Sequence, residues 1–354
     1  MSLERARALV LEHGWNATAY QIVNPGIRHW FSAVGDAVVG YVEAAGVRVV
    51  AGAPVCGPDR LADVAAEFEA ESRADGFSVC YFGAEGRLEA VYRESALHSM
   101  ALLGAQPVWD PREWQAICAR HASLRAQFNR ARNKGVAVHE WPVAVAEGHP
   151  GLRRCLGEWL STRGLPPLHF LVEPQTLARL AGRRIFVATR GPAVIAFLVA
   201  SPVPARQGWL VEQCVRGHEA VNGTTDLLVN AAMRTFAAES SEFVTLGLAP
   251  LSQHVPAGLV PPEPLWLRFV LGWVRLHGRR FYNFAGLDRF KARLQPARWD
   301  PVYAIAARPH FPPGMLYAIA GAFSGGSPVL LVARGLGRAV MWELTGRPSP
   351  AAGG

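Results

Sequence analysis

The stretch Gly208–Ser252, GWLVEQCVRGHEAVNGTTDLLVNAAMRTFAAESSEFVTLGLAPLS, decides how the chain folds. Gly208 to Val215 is rich in β-branched and aromatic residues and reads as a strand whose end carries Glu212 and Arg216. Thr224 to Ala238 reads as a helix, with Thr224 or Thr225 in the capping position and Asp226 in the first turn. Phe243 to Leu246 is a second strand, which runs out through Gly247 to Ser252. Polar side chains at the strand ends therefore face a helix start, whose first N–H groups have no partner within the helix. That arrangement makes a cleft. It nominates Asn222, Gly223, Thr224, Asp226, Gly247 and Ser252 for substrate binding, and Glu212 and Arg216 for the reacting centre. The plainer reading of Glu212 and Arg216 is a structural ion pair, and that of the glycines is turn geometry.

Working outward, the same kinds of element recur on both sides. Ala37–Glu43 and Val47–Ala51 read as strands, Asp59–Gly76 as a helix, Phe77–Phe82 as a strand, Leu88–Leu103 as a helix and Gln106–Trp109 as a strand. A basic helix over Ser123–Gly135 leads into a strand over Val136–Trp141. Past the connector Pro142–Pro150 come a helix (Gly151–Arg163) and three strands (Arg184–Thr189, Ala193–Ser201, Gly208–Val215). Beyond the opening stretch lie a helix over Glu263–Gly278 and a closing strand over Trp299–Ala306. The expected architecture is α+β, in two successive units over 1–142 and 143–308, each a mixed sheet flanked by helices. An apolar and basic extension occupies 309–354.

With 354 residues, half of them hydrophobic and 18% charged, the chain is globular rather than disordered. Its charge is uneven. The whole chain carries 36 basic and 28 acidic residues, and the excess of eight lies within Glu263–Arg338, which holds eleven basic residues and three acids. Such a field points to a polyanion, either a nucleic-acid backbone or an anionic membrane surface. Only Lys134 and Lys291 are lysines, so arginine is the default cation. The five cysteines lie at least 24 positions apart and form no metal-binding pattern, and the histidines include no HExxH; neither a metal nor a disulfide framework is expected. There is no GxSxG elbow, no GxxxxGK[ST] loop and no GxGxxG after a strand, which leaves hydrolase, NTPase and dinucleotide readings without their parts. The first twenty residues lack the apolar run of a secretory signal, so a cytoplasmic location is expected. Phe311–Ala333 is uncharged over 23 positions, yet Gly325, Gly326, Ser327 and Pro328 divide it into pieces too short to span a bilayer. It reads either as helices packed on the domain or as an interfacial hairpin.

Several motifs together resemble the C-terminal catalytic region of bacterial phosphatidylglycerol lysyltransferases, built of two tandem GNAT-like (acetyltransferase-like) domains. They are Leu124-Arg125 with Asn129-Arg130 and Lys134-Gly135, Glu158-Trp159-Leu160, Ala196-Phe197, Asn222–Leu228, Leu246–Ser252, Gly286-Leu287, Arg289-Phe290-Lys291, Pro296, Trp299 and Tyr303. The resemblance covers about Asn24 to Ala306. It implies transfer of an aminoacyl group from aminoacyl-tRNA to a membrane lipid hydroxyl, at the inner face of the plasma membrane. Where those enzymes usually show Asp-Leu-Met-Arg, this chain has Glu212-Gln213-Cys214-Val215-Arg216, with the acid displaced by one residue. An aminoacyl ester is already activated, so the transfer needs no Ser or Cys nucleophile and no cofactor. It needs a carboxylate for the α-ammonium, cations for tRNA phosphates and donors for an oxyanion. Glu212 is the candidate for the ammonium or the proton, Arg216 and Lys291 for phosphate or oxyanion, and Arg293 for the tRNA 3′ end. Arg125, Arg130, Lys134 and Arg289 are the candidate tRNA contacts. Two other classes stay open: a small-molecule N-acyltransferase on the same fold, and a non-catalytic relative that binds tRNA or membrane.

Overall fold

The computed structural model describes residues 2–162, 169–172, 175–261, 264–277 and 284–324. In chain order its elements begin with α1 (Ser2–His13), β1 (Arg28–Phe31), β2 (Val38–Ala44), β3 (Val47–Ala51), α2 (Leu61–Ala74), β4 (Ser78–Ala84), α3 (Gly86–Tyr92) and β5 (Ser99–Trp109). There follow α4 (Trp114–Arg120), α5 (Ala122–Arg132), β6 (Val136–Trp141), α6 (Val143–Ala146), α7 (Pro150–Ser161), β7 (Arg184–Arg190), β8 (Ala193–Val203) and β9 (Gly208–Arg216). The chain continues with α8 (Thr224–Ala238), β10 (Phe243–Thr245), β11 (Ala249–Pro250), α9 (Leu265–His277), α10 (Phe284–Arg293), β12 (Arg298–Ala306) and α11 (Pro313–Ser324).

The fold is α+β, as expected, with one open sheet assembled from two halves of like topology. Each half has an antiparallel meander, β1-β2-β3 or β6-β7-β8-β9, whose last strand is joined through a helix to a parallel neighbour. In the first half that unit is β3-α2-β4, and in the second β9-α8-β10. The two sheets are fused into one, with strand order β1-β2-β3-β4-β12-β5-β10-β9-β8-β7-β6 and β11 added beside β5. The seam is the antiparallel pairing of β10 with β5, Val244 opposite Trp109 and Thr245 opposite Val108.

Pairing crosses the division expected at residue 142. β6 joins the second half, and β12, placed by its sequence position in the second unit, lies between β4 and β5 of the first. Residues 88–103 are the clearest departure from the sequence reading. Helix α3 ends at Tyr92, and Ser99–Leu103 belong to β5, bonded to β12 along its length. Met100, Ala101, Leu102 and Leu103 favour helix intrinsically, but a central strand with neighbours on both edges outweighs a few tenths of a kcal/mol per residue of propensity.

The core is built from apolar faces on both sides of the sheet. Val64, Ala65 and Phe68 of α2 are buried in one cluster, with the Trp30 ring edge-on to Phe68 at 5.4 Å. On the opposite face, α1 contributes Ala6 and Val10 and α11 contributes Met315, Ala318, Ile319 and Ala322. Residues 313–324 thus resolve the two readings of the apolar C-terminal segment for that stretch: it is core packing, while 325–333 lie outside the described residues. In the second half, α5 and α8 cover one face with Leu124, Phe128, Leu228, Met233 and Phe236, and α7 covers the other with Leu152, Cys155 and Leu156. No helix among the described residues is long and apolar enough to cross a membrane.

Candidate active site

The parallel pairing of β9 with β10 stops at Leu210 and Thr245, while β9 runs on to Arg216. After Thr245 the chain is led away by Gly247, at φ +69°, and Ala249 and Pro250 pair instead with Ala105 and Gly104 of β5. Gly104 is required there, because a Cβ at that position would collide with the Ala249 carbonyl. The two strands therefore splay into a wedge at their C-terminal ends, the usual place for ligands in open sheets with parallel strands.

A bulge re-aims the side chains of β9. Its register against β8 slips between Val199 and Ala200, leaving Glu212 without a cross-strand partner. Beyond the slip, Cys214 joins Val211 on the α8 side, whereas Val215 joins the cluster beneath α7. Glu212 does not pair with Arg216. Its carboxylate receives Arg183 Nε at 2.8 Å and Nη2 at 3.1 Å, the two side chains only 4% and 1% exposed. Arg183 also donates to Asn24 Oδ1 at 2.7 Å, so this bidentate pair ties the two halves together. Glu212 is a strut, and Arg216 is exposed, with Nη2 3.3 Å from the Ala220 carbonyl.

Lys291 fills the wedge. Helix α10 carries it to 3% exposure, and its Nζ donates to the Gly247 carbonyl at 2.7 Å and the Leu248 carbonyl at 2.9 Å. Burial pulls its pKa down to about 7, against the opposing pull of Cys214 and Asp288. Burial also pushes the Cys214 thiol up to about 12, which leaves it protonated and poorly nucleophilic. Beside them Asp226, buried in the first turn of α8, accepts from Arg293 Nη2 at 2.6 Å. Burial raises the Asp226 pKa, with Arg293 opposing. One turn before Lys291, Asp288 Oδ2 lies 3.2 Å from His254 Nε2, and the His254 ring stacks on Trp299 at 4.4 Å.

The structure thus gathers Asp226, Gly247, Lys291 and Arg293 from the expected set, with Arg216 at the rim. Asn222 is exposed on the approach to α8. The helix cap is Gly223 itself, at φ +89° with no room for a Cβ beside the Gln127 carbonyl, so neither threonine caps; the Thr224 hydroxyl bonds back to Val221 O at 2.7 Å. Ser252 is buried and its Oγ accepts from His254 N at 3.3 Å. Arg125 donates to the Cys118 and Ala119 carbonyls at the end of α4, and Arg289 Nε reaches back to Ala285 O at 3.2 Å. Arg130 and Lys134 are exposed at the end of α5, the helix packed against the start of α8. Asp288, His254 and Cys214 escaped the sequence reading. The available signal for Asp288 was its i, i+3 spacing from Lys291, which places both on one helix face. Among the described residues no group of three His, Cys, Asp or Glu side chains is arranged to hold a metal ion.

Residues 7–306 match the family model described as phosphatidylglycerol lysyltransferase, C-terminal. The chain belongs to this family. Among curated proteins it is similar to the phosphatidylglycerol lysyltransferase of Bacillus subtilis, at 24% identity over 302 residues, which make up 85% of this chain and 34% of that protein. An uncharacterized protein of Corynebacterium glutamicum is 23% identical over 315 residues, covering 83% of this chain and 37% of its own length. The chain therefore spans about a third of the length of these two curated relatives. Among solved structures, the C-terminal DUF2156 domain of an Agrobacterium fabrum protein superposes with a TM-score of 0.77 at 21% identity, covering 92% of this chain and 98% of that one. L-PGS from Bacillus licheniformis gives 0.72 at 20% identity, covering 98% and 97%. These two structures share the fold.

Proposed function

We propose that this chain transfers an aminoacyl group from aminoacyl-tRNA to a hydroxyl of a membrane lipid, with Lys291 as the proton carrier. The observation that carries this reading is a lysine buried at the splayed strand ends with its Nζ on the Gly247 and Leu248 carbonyls, where burial lowers its pKa. A neutral amine that spends both N–H groups on the Gly247 and Leu248 carbonyls keeps a lone pair for the attacking hydroxyl. The lipid oxygen bonds to the ester carbonyl carbon and its proton passes to Nζ. The tetrahedral oxyanion then collapses, the bond to the tRNA ribose oxygen breaks, and Nζ returns the proton to that oxygen. Arg293, held by Asp226, and Arg216 at the rim supply positive charge for the oxyanion or the terminal phosphate. The step as written uses no cofactor and no covalent enzyme intermediate.

One contact speaks against acyl-CoA as donor. The loop after β9 holds Gly217 alone between Arg216 and Gly223, and the Glu158 carboxylate lies against it, accepting from His218 N at 2.8 Å. A pyrophosphate at those amides would meet an acid already in place. For the lipid side, four of the ten large apolar residues exposed among the described residues fall within Leu259–Phe269, beside the exposed Arg268. Leu265 and Phe269, 80% and 75% exposed and one turn apart on α9, are where we place the bilayer contact. The test is lipid extraction and mass spectrometry from a heterologous host expressing the chain. A new aminoacylated lipid is expected, and its synthesis in lysate should stop on ribonuclease treatment; synthesis that survives ribonuclease rejects the tRNA donor.

A further inference from the structure

The Asp288 carboxylate is only half used. Its Oδ2 faces His254, whose ring is fixed by stacking on Trp299, while its Oδ1 is buried and meets no hydrogen-bond donor among the described residues. A buried acceptor without a donor is unfavourable, so such an atom beside the proposed reaction site calls for a donor, supplied by water when the site is empty and by a ligand when it is filled. A carboxylate oxygen selects a donor, preferably a cationic one. Among the described residues, the cations of α10 have other partners: Arg293 reaches Asp226, Arg289 Nε the Ala285 carbonyl, and Lys291 Nζ two main-chain carbonyls. Asp288 and Lys291 are three residues apart on α10, hence about 5–6 Å apart at Cβ on one face. In an aminoacyl ester the α-ammonium nitrogen is two bonds from the carbonyl carbon, so an ester carbonyl close to Lys291 carries its ammonium toward the neighbouring turn.

We infer that Asp288 Oδ1 receives the α-ammonium of the aminoacyl group and makes the site selective for donors with a free α-amine. This rests on the aminoacyl-transfer reading above, and it reassigns to Asp288 the ammonium role that sequence alone gave to Glu212. The experiment compares a 3′-aminoacylamido-adenosine, a non-hydrolysable mimic of the tRNA terminus, with its N-acetyl form, by calorimetry on the wild-type chain, Asp288→Asn and Asp288→Ala. The wild type should prefer the free amine by on the order of tenfold or more, because acetylation removes the positive charge that pairs with the buried carboxylate oxygen and leaves a single neutral N–H on a bulkier group. Both variants should bind the two mimics within about threefold of each other. Should Asp288→Ala fold poorly by circular dichroism, Asp288→Asn alone carries the comparison. A wild type indifferent to acetylation, or variants that keep its full preference, would overturn the assignment. Because binding is read without turnover, selective binding with no lipid product counts against the transfer reading instead.

Discussion

Replacing Lys291 with methionine removes the buried amine at the centre of the site. The folded-state pKa is about 7 against an ordinary 10.5. Between those values the unfolded chain binds a proton that the folded chain does not, so stability rises with pH across that window. Below pH 7 the lysine costs the fold about 5 kcal/mol, and the cost fades as pH approaches 10.5. The difference in unfolding free energy between wild type and Lys291→Met should therefore shift by about 2 kcal/mol in favour of the wild type from pH 7 to pH 9. Urea titrations at half-unit pH steps read this directly, because other titrating groups cancel between the two proteins. The same titration should govern turnover, which rises through about pH 7 and levels above it. Lys291→Arg should be both unstable and inactive, since a guanidinium cannot shed its proton. A stability difference constant within about 0.5 kcal/mol over pH 7 to 9 would show that Lys291 titrates normally, and the proton-carrier role would go with it.

Four further outcomes follow from other contacts. Glu212→Ala leaves Arg183 buried without its carboxylate and should cost about 3–5 kcal/mol in urea unfolding, while turnover per folded molecule stays within a few-fold of wild type. Gly104→Ala drives a Cβ into the Ala249 carbonyl and should lower stability by about 1–3 kcal/mol together with turnover, because the wall that holds Gly247 and Leu248 shifts. Arg130→Ala and Lys134→Ala, made singly, should each reduce the slope of log tRNA affinity against log salt by up to about one, with little change in kcat. The double change Leu265→Ser with Phe269→Ser should reduce sedimentation with anionic vesicles about tenfold or more, whereas Leu97→Ser, exposed to a similar degree in the first half, should leave it unchanged.

Where period and punctuation agree, the sequence names the element closely. Val136–Trp141 and Thr224–Ala238 coincide with β6 and α8, and α2 differs from its expected bounds by two residues at each end. What escapes is whatever long-range pairing decides. Nothing near Met100 announces that β12 will lie beside it, and nothing near Glu212 announces Arg183, 29 positions away across the sheet. The site shows the same division. Asp226, Gly247 and Lys291 were legible because a helix start, a positive-φ turn and a rare lysine each leave a local mark. The true partner of Glu212 and the half-empty carboxylate of Asp288 were not, since a bulge and the docking of α10 set them.

The position of β12 also governs how the molecule comes into being. Strands β4 and β5 are bridged by a strand made roughly 190 residues after β5, so a chain emerging from the ribosome carries two unmatched sheet edges until that strand is made. The sheet of the first half is complete only when β12 pairs with both β4 and β5, and α10 immediately precedes that strand. Lys291 is thus carried on the helix that leads directly into the strand closing the first half, so the candidate site and that closure share one segment of chain.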